Sequence, residues 1–459
     1  MTGRSQRTLA RSDLDRTAPR IVIVGGGYVG MYTARGLRRM VRRGGAQICI
    51  IDPESYMTYQ PFLPEAAAGN LAERHVVVPL RQLLRGVEII NGRVTAISHA
   101  QRQVEFKPVT GGLRQIGYDI LVVAPGSISR TLPIEGLAER GIGFKTVGEA
   151  IYLRNHVLSQ LDIAASTEDP DIRRKALTFV FVGAGFAGVE ALAELEDMAR
   201  SACRYYPGIA PDDMRWILVE ATGRILPEVG PELGPWAQRD LRSRGIDLRL
   251  NTRLKSAAGG RIKLDDGTEV DADTLVWTAG VKPHPVLAHS DLPLDSRGRL
   301  TATAELTVRG MPGVFTAGDC AAVPDLTAAD GGAETICAPN AQHAVRQARR
   351  LASNIRAFLH GKPLEPYRHA YAGSVASLGL HRGVAYVYRI RLTGWPAWFL
   401  HRTYHLARVP TLNRKVRVVA DWTLALFFPR EIVSLGTVER PREEFEQAAL
   451  ESSLAERDR

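Results

Sequence analysis

The chain has 459 residues, of which 45% are hydrophobic and 24% charged, with a formal charge of +10. That is enough for two or three domains with real cores, and the composition excludes collagenous and low-complexity classes. Cys49, Cys203, Cys320 and Cys337 are scattered without any local paired spacing, so reduced cytosolic thiols are expected, with no metal site and no local redox disulfide.

Met1 to Arg20 is polar and arginine-rich, with no apolar core or small-residue cleavage site. It reads as a disordered tail over residues 1–18 and not as a secretory signal. The first buried strand follows as Ile21-Val-Ile-Val, leading into Gly25-Gly-Gly-Tyr-Val-Gly30 and a helical pattern. In such a loop the first glycine permits the tight turn. Gly27 lets backbone approach a pyrophosphate, and Gly30 lets helix and strand pack closely. The helix N-terminus behind the loop attracts the phosphate charge. A second apolar run, Ile48-Cys-Ile-Ile-Asp52, ends in an acid about twenty residues past Gly30, where a carboxylate accepts hydrogen bonds from a ribose diol. The proline-punctuated loop Tyr59-Gln-Pro-Phe-Leu-Pro-Glu65 comes next, then alternating strands from Val87 to Arg114. Tyr118-Asp-Ile-Leu-Val-Val is a buried strand that ends in the small-residue turn Ala124-Pro-Gly126.

The design then repeats. Thr178-Phe-Val-Phe-Val leads into Gly183-Ala-Gly-Phe-Ala-Gly188, in which Gly183, Gly185 and Gly188 take the same three roles. The ribose acid of this half is Glu220, closing Trp216-Ile-Leu-Val-Glu220, and Ser201 to Arg215 reads as an inserted connection. A carboxylate there also repels a 2′-phosphate, so the second site should prefer NADH to NADPH. Asp273-Thr-Leu-Val-Trp-Thr-Ala279-Gly280 matches the Gly126 strand, and Gly313-Val-Phe-Thr-Ala-Gly318-Asp319 adds one more strand without a third fingerprint. The economical topology inserts the second nucleotide domain within the first, so that Asp319 faces the first nucleotide.

From Arg389 to Arg430 the chain is basic and aromatic together. Arg389, Arg391, Arg402, Arg408, Arg414, Lys415, Arg417 and Arg430 oppose only Asp421, interleaved with Trp395, Trp398, Phe399, Tyr404, Trp422, Phe427 and Phe428. Helices of this mixture lie in the headgroup region of an anionic membrane surface, or pack in a dimer interface with arginines on the rim. No nucleic-acid motif accompanies them. No stretch reaches the roughly 18 apolar residues of a membrane-spanning helix, so neither a span nor vectorial proton pumping is expected.

In this order the motifs resemble the two-dinucleotide-binding-domain flavoproteins, and within them the type II NADH dehydrogenases, single-subunit NADH:quinone oxidoreductases. The narrower likeness rests on Gly183-Ala-Gly-Phe-Ala-Gly-Val-Glu190, on Glu220-Ala-Thr-Gly-Arg-Ile-Leu-Pro227, on Ala341-Gln-His-Ala-Val-Arg-Gln347 beside the family's AQxAxQQ, and on the tail. It implies an α/β fold of two Rossmann-like domains: an FAD domain split over residues 19–138 and 291–370, an NADH domain over 139–290, and an amphipathic helical membrane-anchoring and dimerisation region over 371–459. It implies non-covalent FAD held by Gly25, Gly27, Gly30, Asp52, Val94, Ala124, Gly126, Gly318 and Asp319. NADH, as substrate, is held by Gly183, Gly185, Gly188, Glu220, Ala279 and Gly280. Glu190, Gln342 and Arg346 carry the catalytic roles, with Gln342, Val345 and Arg346 at a membrane quinone, menaquinone or ubiquinone.

Hydride would pass from NADH to FAD and two electrons on to quinone, without charge translocation. The enzyme would be a homodimer bound peripherally at the cytoplasmic face of the cell membrane. The chain departs from the family at Arg346, where the motif has glutamine, and this puts the identity of the quinone in doubt. Sulfide:quinone or ferredoxin reductase, or a slow-turnover redox-sensing flavoprotein of the same fold, are the alternatives. The first would need two cysteines, for which Cys203 and Cys337 are the candidates. Isolated structural cysteines are the better reading, and His343 reads as a surface or core residue.

Overall fold

The computed structural model describes residues 18–230, 232–327, 335–369, 373–388, 390–430 and 432–434. Most of the expected N-terminal tail, Arg389 and the last 25 residues of the expected C-terminal region lie outside them. The described residues form two compact units, one drawn from Met1–Tyr59, Val77–Arg130 and Gly280–Ala372, the other from Gln60–Val76, Thr131–Ala279 and Gly373–Arg459.

The first unit is built on a seven-stranded sheet in the order Val314–Thr316, Ile120–Val123, Arg20–Val24, Gln47–Asp52, Glu88–Ser98, Gln103–Pro108, Arg114–Gly117. Its first five strands are parallel, with Ile21 opposite both Ile48 and Ile120. The first four of these are almost wholly buried, because both faces are covered, whereas Glu88–Ser98 is largely half-buried. The last two strands continue the sheet as an antiparallel meander, with a register shift at Val94 and Ala96. Helices Tyr28–Arg42 and Ala341–Leu359 pack against each other. Small residues set that approach: a β-carbon on Gly36 would lie 2.7 Å from Ala352 Cβ, and Thr33 Oγ1 donates to the Ala348 carbonyl at 3.4 Å.

The second unit centres on five parallel strands, ordered Gly141–Gly143, Thr274–Trp277, Thr178–Val182, Arg215–Glu220, Asp247–Leu250. The helix Phe186–Ala202 behind the second glycine loop is buried on nearly every side, in keeping with its run of alanine and leucine. The C-terminal part adds an antiparallel sheet (Gly373–Ser377, Gly383–Val387, Ile390–Thr393) and the helices Trp395–Arg408 and Leu412–Leu424.

The sequence reading drew its seams at 138/139 and 290/291, whereas the chain crosses between units at Arg130/Thr131 and Ala279/Gly280. The two crossings meet as a ladder within the first unit, Ser127–Ser129 antiparallel to Val281–Pro283. The second unit also claims Gln60–Val76. Arg402 Nη2 and Trp422 Nε1 donate to buried Glu65 at 2.9 and 2.8 Å, and the Arg402 guanidinium lies over both the Trp398 and Trp422 rings. Asp421 accepts the Ala72 amide at 3.1 Å and pairs with His75 at 2.5 Å. Among the described residues, no helix is long and apolar enough to cross a membrane.

Candidate active site

In the first unit the strand order reverses between Arg20–Val24 and Ile120–Val123, the switch point where an open α/β sheet receives its ligand. Gly25 turns there with φ +98°, and a β-carbon on it would meet the Ala124 carbonyl oxygen at 2.3 Å. A β-carbon on Gly30 would stand 1.9 Å from the Gly25 oxygen, whereas one on Gly27 or Gly126 would meet nothing within 4 Å. The loop is thus closed underneath and open on the side a pyrophosphate takes, and the backbone fits a dinucleotide. Asp52 caps the loop, accepting the amides of Gly26 at 2.6 Å and Glu54 at 2.7 Å. Burial pushes its carboxyl up, against the pull of those two amides. Val94 lies in the core at the meander's register shift. Asp319 accepts the Ser127 hydroxyl at 2.6 Å, and the Gly318 amide donates to buried Gln347 at 2.8 Å.

The second unit repeats this loop. The order reverses between Thr178–Val182 and Thr274–Trp277, and Gly183 turns with φ +106° against the backbone of Thr278 and Ala279. A β-carbon on Gly188 would lie 1.9 Å from the Gly183 oxygen, and Gly185 is open. Glu220 accepts the Ala184 amide at 2.8 Å and the Thr222 amide at 2.8 Å. Ala279 closes this unit; Gly280, φ +96° and open, falls in the first.

One turn into that helix, Glu190 is buried. Its Oε1 accepts the Ser377 amide at 2.9 Å and lies 3.2 Å from His401 Nε2. The His401 ring stands 4.5 Å from that of His405, whose pKa burial, then the neighbouring His401, holds well below the usual range. Sequence reading missed Ser377 and His401, because nothing local ties them to a helix so much earlier in the chain.

The helix Ala341–Leu359 belongs to the first unit and is capped by Asn340, which accepts the His343 amide. Gln342, Val345 and Arg346 share its half-buried side. Arg346 Nη1 donates to Gln342 Oε1 at 2.9 Å and also to His369 Nε2. Burial and the guanidinium bring the His369 pKa down to about 4, leaving a neutral ring that accepts that bond at neutral pH. His343 is a core residue, hydrogen-bonded to the Tyr367 hydroxyl at 3.0 Å. All four cysteines are free. Burial raises the Cys203 thiol and lifts Cys337 and Cys320 to about 11, and with help from Glu88 lifts Cys49 to about 12; such thiols stay protonated and unreactive.

Residues 19–348 match the family of pyridine nucleotide-disulphide oxidoreductases. The chain is 30% identical over 426 residues to the type II NADH:quinone oxidoreductase Ndh of Mycobacterium tuberculosis, covering 90% of this chain and 89% of that protein. It is 31% identical over 390 residues to the type II NADH:quinone oxidoreductase of Staphylococcus aureus, covering 83% and 93%. Its fold matches NDH2 from Plasmodium falciparum, solved in complex with NADH, with a TM-score of 0.84 at 16% identity over 90% of this chain and 99% of the other. With its paired glycine loops and its likeness to these relatives along nearly the whole chain, the protein belongs to the pyridine nucleotide-disulphide oxidoreductase family and, within it, to the type II NADH:quinone oxidoreductases.

Proposed function

We infer that the protein oxidises NADH and passes two electrons to a quinone by way of non-covalently bound FAD. The observation that carries this is the duplicated loop, in which Asp52 caps the Gly26 amide and Glu220 caps that of Ala184. FAD, when bound, supplies the hydride acceptor and the electron donor. The chain's own residues bind and orient. Gly25, Gly27 and Gly30 admit the FAD pyrophosphate, Asp52 serves the adenosine ribose, and the Val94 backbone serves the adenine. Ala124 and Gly126 let backbone come close, and Gly318 and Asp319 serve the ribityl chain. Gly183, Gly185, Gly188, Glu220, Ala279 and Gly280 hold NADH, and Glu220 turns away a 2′-phosphate by charge. Glu190 acts in electron transfer to the quinone, and Gln342, Val345 and Arg346 receive the quinone headgroup, menaquinone or ubiquinone.

The C-terminal helices are the membrane-facing element in this reading. Leu412, Val416 and Val419 recur along one side of the last helix, and with Leu424, Phe427 and Phe428 they are exposed, in a segment that also carries Arg414, Lys415 and Arg417. An apolar stripe in a basic segment suits peripheral attachment to an anionic surface at the cytoplasmic face, and the same helices serve a homodimer. The test is steady-state turnover of the purified yellow protein with short-chain ubiquinone and menaquinone. NADH should be much preferred to NADPH, with FAD released on denaturation; a protein lacking flavin, or one preferring NADPH, contradicts the reading.

A further inference from the structure

The two ribose acids close matching loops and differ in what stands two positions further on. In the first unit Asp52 accepts the Gly26 amide at 2.6 Å and the Glu54 amide at 2.7 Å. Burial pushes the Asp52 carboxyl up, those two amides pull it down, and the neighbouring Glu54 carboxylate adds to the push. In the second unit Glu220 accepts the Ala184 and Thr222 amides, each at 2.8 Å, in the same two places. The residue two positions past the acid is now a threonine instead of a second acid, and its hydroxyl donates to Glu220 Oε1 at 2.9 Å.

That hydroxyl has one hydrogen for two acceptors, the Glu220 carboxylate and the Arg224 carbonyl at 3.1 Å. The carboxylate is nearer and charged, so it takes the stronger bond. The backbone beneath is pinned from the end of the next strand: the Asn251 amide donates to the Thr222 carbonyl at 3.0 Å, and the Thr252 amide to the Glu220 carbonyl at 2.9 Å. Thr222 itself is exposed, so its side chain fills no core. Water competes for such a bond, and its effect on folding is small. Its effect on binding is larger, because a carboxylate already in place is not ordered afresh each time a ligand arrives. FAD stays through many turnovers, whereas NADH enters and its product leaves in each one.

We propose that Thr222 is a positioning residue for NADH: its hydroxyl keeps the Glu220 carboxylate in place for the ribose diol between turnovers, and so sets both the affinity for NADH and the exclusion of a 2′-phosphate. The proposal rests on the reading of the second loop as the NADH site. A carboxylate free to swing aside would grip the diol less well and repel a 2′-phosphate less strongly. Thr222 acts only through Glu220, and hydride transfer makes no use of it.

The test is anaerobic stopped-flow reduction of the flavin in the full-length holoprotein over a range of NADH and NADPH concentrations, with Thr222→Val and Thr222→Ser alongside. Valine keeps the shape and the amide and removes the hydroxyl; serine keeps the hydroxyl. Thr222→Val should need about three- to tenfold more NADH for half-maximal reduction while its limiting rate stays within about twofold of wild type, and its preference for NADH over NADPH should shrink about threefold. Thr222→Ser should return these values to near wild type. NADH lacking the adenosine 2′-hydroxyl locates the effect. That deletion should raise the half-saturating concentration about tenfold in wild type and much less in Thr222→Val, because both changes weaken the same contact. Equal NADH dependence in wild type and Thr222→Val, a loss that serine fails to restore, or an equal 2′-deoxy penalty in both proteins overturns the proposal. A wild-type flavin that NADH does not reduce overturns the NADH reading itself, and the proposal with it.

Discussion

The Gly30 α-carbon lies so close under the Gly25 carbonyl that a β-carbon would stand 1.9 Å from its oxygen, and Gly188 lies under Gly183 at the same 1.9 Å. No flexible side chain can yield there, so even alanine forces the loop to open. Because the two loops belong to separate units, the damage should separate too. Gly30→Ala should purify with at least about tenfold less FAD, and Gly188→Ala should keep its FAD while the KM for NADH rises about tenfold or more. Flavin released on heating and steady-state kinetics read both; full flavin in Gly30→Ala removes the first loop from FAD binding.

Glu220 is held by the Ala184 and Thr222 amides and by the Thr222 hydroxyl at 2.9 Å, so Glu220→Gln preserves its shape while removing its charge. The ratio of kcat/KM for NADPH to that for NADH should rise about tenfold or more. An unchanged ratio means that discrimination lies elsewhere.

Glu190 is buried against His401 and the Ser377 amide, contacts that a glutamine oxygen can keep. Glu190→Gln should therefore fold and retain FAD while quinone turnover falls about 10- to 100-fold. Unchanged turnover and affinities would remove Glu190 from the mechanism.

Deleting the C-terminal helices is a poor test of membrane attachment. It strips Arg402 and Trp422 from Glu65 and His401 from Glu190, and orphaning a buried charge costs about 3–5 kcal/mol. Val416→Glu with Phe428→Ser changes only exposed positions. The double variant should keep soluble NADH:quinone activity and float poorly with anionic liposomes; flotation equal to wild type sinks the anchor.

Both glycine loops were legible because strand, turn and helix N-terminus are written consecutively, and chain spacing carries Asp52 and Glu220 to strand ends beside them. What stayed hidden depends on distant partners. Glu65 belongs with the second unit because Arg402 and Trp422, 337 and 357 positions later, supply its hydrogen bonds. Arg346 was visible as a departure from the family motif, but its bonds to Gln342 and His369 needed the fold.

Passage of electrons from NADH to a quinone through this one chain can be followed by double-mixing stopped flow: the oxidised yellow protein is mixed anaerobically with one equivalent of NADH, then with short-chain menaquinone or ubiquinone. Flavin absorbance should be lost rapidly, more slowly with NADPH, and should return on adding quinone at least as fast as steady-state turnover. Reduction by NADH with no reoxidation by either quinone would contradict that passage and point to another acceptor at the helix bearing Arg346.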